Sequence, residues 1–162
     1  TIELLLTKPV NDWQVITGKF LSTFILIILT LLLTLPYYIT VSKIGNIDHG
    51  ATISGYLGLI LMSGAYISIG MFTSCISNNQ IVGFLLALFI GIFFHFIFQV
   101  LGASFTGLIG ETFNYLSMNS HYESISRGVI DSRDLVYFLS IIFTGLISAE
   151  FVLSKRNLME KQ

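Results

Sequence analysis

Residues 50–110 read GATISGYLGLILMSGAYISIGMFTSCISNNQIVGFLLALFIGIFFHFIFQVLGASFTGLIG, without one Asp, Glu, Lys or Arg. A bilayer hydrocarbon core about 30 Å thick is crossed by roughly 20 apolar helical residues rising about 1.5 Å each. The stretch is far too long for one crossing. Its polar run Ser77-Asn78-Asn79-Gln80 divides it, and the division predicts two spans, 51–76 and 81–103.

The pattern repeats on either side. A charge-free run from Phe20 to Ser42 predicts a span over 20–42, and the run from Leu135 to Ser154, just past Asp134, predicts one over 134–154. The first run is too long for the apolar region of a signal peptide, and no cleavage site leading into a soluble domain comes after it. The 162 residues are 54% hydrophobic and 10% charged, with a mean hydropathy of +0.83, outside the balance of soluble domains. The expected fold class is an all-α integral membrane protein with four transmembrane helices.

Four spans put both termini on one side. With that side inside, Lys8, Lys19, Lys155, Arg156 and Lys161 lie inward and Lys43, Arg127 and Arg133 outward, a bias that makes the termini cytoplasmic. Cys75 is the only cysteine, which rules out a disulfide framework and paired-cysteine zinc spacing. A net charge of −1 offers no polybasic footprint for nucleic acid. The chain begins with Thr rather than Met, and we expect a fragment or a processed chain.

Within the spans the small and polar residues are the informative ones. Lys8-Pro9 stops any helix begun at Ile2, and Asn11 with Gln14 has the form of a capping box that starts a new one. Trp13 and Tyr37-Tyr38 then fall about 36 Å apart, suiting aromatic belts at the two interfaces, with Pro36 bending the outer end. Ser54 with Gly58, Gly64 with Ser68, and Gly70 with Ser74 are small pairs four apart, as closely packed membrane helices use. Gly83, Ala87, Gly91, His95 and Gln99 form a longer row at the same spacing, a packing ridge that ends in two intramembrane polar candidates. His95 has two readings: a functional group within the membrane, or a neutral imidazole satisfied by a neighbouring helix.

The segment 104–133 reads as two short outer amphipathic helices. Phe105, Leu108, Ile109, Phe113 and Leu116 make one apolar face; Ser120 with Glu123 suggests a cap for a second helix bearing Tyr122, Ile125 and Val129, stopped at Gly128. No phosphate-cradling loop, nucleophile elbow or metal-binding helix motif occurs, and His49, His95 and His121 are scattered. No catalytic residue, metal site or cofactor is therefore expected in this chain, and energy for any transport must come from elsewhere.

The stretch TIELLLT at residues 1–7 is too short to be helical alone in water. The longer segment that contains it, TIELLLTKPVNDWQVITGKF, resembles the cytosolic motif of type-2 ABC exporter membrane subunits, at Thr1, Ile2, Glu3, Leu4, Leu5, Leu6, Pro9, Gly18 and Lys19. HYESISRGVIDSRDLVYFLS, residues 121–140, is similar to the outer-helix and last-span region of that family, in wording closest to its gliding-motility-associated permeases. The resemblance implies six transmembrane helices, the first two missing here, and a coupling helix docked on a separate ABC ATPase. Its bearers would be Glu3, Leu4, Leu5, Leu6, Thr7, Lys8 and Pro9, within a cytosolic segment 1–19. It further implies a dimer of permease subunits in the cytoplasmic (inner) membrane, with ATP and Mg held by the ATPase. A second reading stays open: a structural membrane anchor of an envelope or motility complex, with TIELLLT an interfacial foot and the tail 155–162 cytosolic.

Overall fold

A computed structural model describes residues 11–159, with side chains as far as residue 156. The described residues form seven helices and no strand. They are α1 (Asp12–Leu32), α2 (Leu35–Ile44), α3 (His49–Ile76), α4 (Gln80–Ser104), α5 (Leu108–Leu116), α6 (Met118–Ser126) and α7 (Ser132–Met159). Four helical stretches, Asp12–Ile44, His49–Ile76, Gln80–Ser104 and Ser132–Arg156, are long and apolar enough to cross a membrane. The all-helical membrane fold expected from the charge-free runs is the fold observed.

Each boundary has a local cause. At the start of α1 the Gln14 side chain accepts the backbone N–H of Asn11 at 3.4 Å. Asp48 caps α3 by accepting the N–H of Ala51 at 3.1 Å, and Asn79 caps α4 by accepting that of Ile81 at 2.9 Å. The polar run 77–80 is therefore a turn between antiparallel helices, and the Ser77 hydroxyl bonds Asn79 on both its N–H and its carbonyl.

Pro36 does more than bend the first span. The helix stops at Leu32 and restarts at Leu35 with proline in its first turn, where a missing N–H costs nothing. The step is closed by tight bonds from Thr34 N–H to the Leu31 carbonyl at 3.0 Å and from Tyr37 N–H to that of Thr34 at 3.0 Å. A neighbouring span helps, because the Thr34 hydroxyl shares a 2.6 Å hydrogen bond with Tyr56 on α3.

Helix α3 is the hub, packing most extensively on α7 and also on α4, α6 and α1. The small residues explain why. A Cβ on Gly64 would meet Ile142 at 2.9 Å and Phe24 at 3.3 Å, and one on Gly58 would meet the Tyr122 ring at 3.0 Å. At the α3–α7 crossing a Cβ on Gly145 would strike Ser68 Oγ at 2.7 Å, so this glycine sets the closest approach of the two longest helices. The third small pair behaves differently: a Cβ on Gly70 would meet nothing within 4 Å, and Gly70 lines a cavity instead of a helix contact.

Two apolar clusters result. One, around Ala65, Met118, Ile125 and Phe138, lies toward the end of the bundle away from the termini, here the far end. The other, around Ile16, Leu146 and Ala149, lies at the near end, which carries residues 12–19 and 154–159. Leu21, Ile25, Leu29 and Leu32, along one stripe of α1, remain exposed, the composition a lipid-facing surface needs.

Candidate functional site

The expected coupling residues Glu3, Leu4, Leu5, Leu6, Thr7, Lys8 and Pro9 lie outside the described residues; the description starts at Asn11, where α1 is capped. The remaining candidates fall on α4 and can be placed.

Gly83, Ala87 and Gly91 lie along the side of α4 next to α3. A Cβ on Gly83 would stand 3.5 Å from Ser74 Cα, and one on Gly91 would stand 3.3 Å from the Tyr66 ring, while both glycines are buried. Between them Ala87 borders two small cavities, so the row touches α3 at its ends and is loosely filled at its middle. Such a contact needs little rearrangement to reseat.

Past Gly91 the helix changes character. Phe93–Ile97 is a π-helical segment, in which the N–H of Phe98 reaches the carbonyl of Phe93. Nothing in the spacing of FFHFI marks this widened turn, and its ring-rich surroundings are the one visible signal: Phe98 meets Phe93 and Phe94 edge to face at 5.5 and 5.2 Å. Such segments recur at functional positions. His95 sits inside it, its ring centroid 6.3 Å from that of Tyr66, and its Nδ1 is buried without a hydrogen-bond partner among the described residues. Both readings of His95, a functional group and a neutral imidazole, stay open with Nδ1 in this position.

Gln99, one step further along the row, joins a polar knot at the far end. Asn119 Nδ2 donates to Gln99 Oε1 at 3.0 Å and to Glu123 Oε1 at 2.8 Å, and Gln99 Nε2 donates to Glu123 Oε1 at 3.3 Å. This knot ties α4 to α6. The aromatic side of the same region is a close hairpin: Gly107, at φ 75°, turns the chain, and Phe113 stacks on Phe98 at 6.0 Å.

The outer helix α6 is placed differently from the amphipathic surface helix expected. Its cap is Ser117, accepting the N–H of Ser120 at 3.4 Å, so Ser120 and Glu123 lie within the helix rather than at its start. Starting one turn earlier shifts the buried face toward the N-terminal end of the helix: Met118 and Ile125 have no exposed surface, whereas Val129 falls beyond the helix and is exposed. The helix is wedged between α3 and α7 rather than laid flat on lipid.

The same packing buries His121 and pairs it with Asp134 at the start of α7, Nδ1 to Oδ1 at 2.6 Å. His121 Nε2 donates to the Tyr115 carbonyl at 2.8 Å, and Tyr137, stacked on the imidazole at 3.9 Å, donates its hydroxyl to the Leu116 carbonyl at 2.5 Å. With Nε2–H committed to a carbonyl, the bond to Asp134 holds the proton of the pair, and the pair is electrically neutral wherever that proton sits. A neutral, hydrogen-bonded pair is the form in which two ionisable groups can be buried. Reading by spacing missed it because the partners are thirteen residues apart across a turn, and Asp134 reads equally well as a helix-start residue. Among the described residues, no group of three or more His, Cys, Asp or Glu comes together that could hold a metal.

The geometry thus describes a membrane bundle whose last span is latched to an outer helix, which in turn is tied to the π-containing span. A family model described as ABC-2 family transporter protein matches residues 1–154. Among curated proteins nothing matches, and among solved structures nothing matches.

Proposed function

The chain belongs to the ABC-2 family of transporter proteins and is a multi-pass membrane permease component, and from that premise we propose that it works as the transmembrane subunit of an ATP-driven transporter. The match across residues 1–154, on a chain with four membrane-length helices, is the observation that carries this reading. ATP and Mg would be bound by a separate ATPase subunit, which docks on Glu3 to Thr7, with Lys8 and Pro9 setting off that segment from α1. A second permease subunit completes the dimer. The membrane is the cytoplasmic one, with both termini on the ATPase side, and the wording of residues 121–140 favours a role linked to gliding motility.

Motion delivered at the near end has a route through the bundle. α1 contacts α3 and α7, α3 carries α4 on the contact at Gly83 and Gly91, and α4 holds α6 through Gln99. Reseating α4 on α3 would move the outer helices with it, the rigid-element rearrangement from which transport cycles are built. The test is a substitution of Leu4 and Leu5 by Asp: membrane insertion stays normal while the ATPase no longer co-purifies. Unchanged association of every partner would favour a structural anchor over a transporter subunit.

A further inference from the structure

The first membrane-length stretch, Asp12–Ile44, has 33 residues, where the other three have 25 or 28. Helix α1 alone supplies 21 of them. At about 1.5 Å per residue that is about 31 Å, enough to cross a hydrocarbon core of about 30 Å. With Trp13 at the near interface, α1 crosses by itself and ends at Leu32, which leaves α2 at the far interface with Tyr37 and Tyr38 in its first turn. Helix α2 is therefore a separate element rather than the end of a span. None of its residues is buried, and Tyr37, Ile39, Val41 and Ile44 are exposed.

The attachments of α2 are few and directed. At the break, Pro36 has no N–H to carry the helical ladder across. The Thr34 hydroxyl gives its one proton to the Leu31 carbonyl at 2.6 Å, so Tyr56 on α3 donates to Thr34, and that bond fastens the break itself. One turn further, Tyr38 shares a 2.6 Å hydrogen bond with His49 Nδ1 at the start of α3, its ring edge-on to the imidazole. Beyond Tyr38, the hydroxyls of Thr40 and Ser42 turn back to the carbonyls of Pro36 and Ile39, at 2.8 Å in each case, and so tie α2 only to itself. At its other end α2 stops at Gly45, and the link 45–48 leads into α3. A helix broken at one end, joined by a loop at the other and latched between them has the form of a strap.

We propose that α2 is a hinged strap at the far face of the membrane, pivoting at Leu33–Thr34 and held against α3 by the Tyr38–His49 hydrogen bond. The proposal rests on the membrane-spanning reading of the chain and not on its coupling to an ATPase. In the test, the full chain with Cys75→Ser sits in lipid nanodiscs and carries spin labels on Ile44→Cys and Val136→Cys, or on Ile25→Cys and Val136→Cys, all exposed positions. Pulsed electron resonance then reads the distance of α2, or of α1, from α7. Tyr38→Phe keeps the ring and removes the bond. It should raise the displaced fraction of the Ile44 pair about fivefold, the effect of losing one hydrogen bond, and leave the Ile25 pair unchanged. His49→Ala removes the same bond from the α3 side and should give the same result, and it decides the matter if Tyr38→Phe fails to fold. An Ile44 pair that keeps its distance in both variants, or an Ile25 pair that moves along with it, would overturn the proposal.

Discussion

Asp134 illustrates how much one carboxylate can hold when it is buried with a partner. It is 5% exposed, its Oδ1 is committed to His121, and its Oδ2 has no partner among the described residues. Removing it leaves an imidazole buried beside Tyr137 with nothing to share its proton. Asp134→Ala should therefore destabilise the protein by about 3 kcal/mol. A fall in the melting temperature in detergent checks this, and an unchanged melt would show that the pair contributes nothing. Gly91 works by the opposite means, absence of a side chain. Gly91→Leu drives atoms into the Tyr66 ring, already 3.3 Å from a Cβ, at a cost of roughly 1–3 kcal/mol. Combining it with Tyr66→Ala should recover much of the loss, and a double variant no better than the single would remove Tyr66 from the explanation.

Helix α4 holds two different registers in one element. Up to Ile92 it is a regular α-helix that sets Gly83 and Gly91 against α3; after the π segment its continuation sets Gln99 against Asn119 and Glu123. Deleting Phe93 should remove the one extra residue that the widened turn holds, restoring regular spacing while residues 98–104 keep their facing. In a Cys75→Ser background, Gln99→Cys and Asn119→Cys should join through a short thiol cross-linker in the intact helix and in the deletion variant alike. Loss of the cross-link in the deletion variant would mean that the π segment does not hold one extra residue. The same helix shows what can be read in a sequence and what cannot. Charge-free length is a property of composition, so the four membrane-length helices were legible from 50–110 and its flanks. The row Gly83, Ala87, Gly91 stands out in the sequence because small residues four apart have few other uses in a span, and its two glycines lie against Ser74 and Tyr66. The π segment does not, because FFHFI suits an ordinary apolar helix equally well. The burial of α6 turned on whether Ser117 or Ser120 accepts the capping bond, a choice made by packing of Met118 and Ile125 rather than by local pattern.

As a whole, the bundle is polarised along its length. The far end is tied by directed polar bonds, Gln99 with Asn119 and Glu123, and His121 with Asp134. The near end holds the smaller apolar cluster. A body braced at its far end suits a subunit pushed from the other end by a partner. The most direct measurement of that account is affinity purification of the protein from native membranes in mild detergent, with mass spectrometry of the proteins that accompany it. The account predicts a soluble ABC ATPase in stoichiometric amount. Its reproducible absence, with other envelope proteins recovered in its place, would contradict the assignment as an ATP-driven permease subunit.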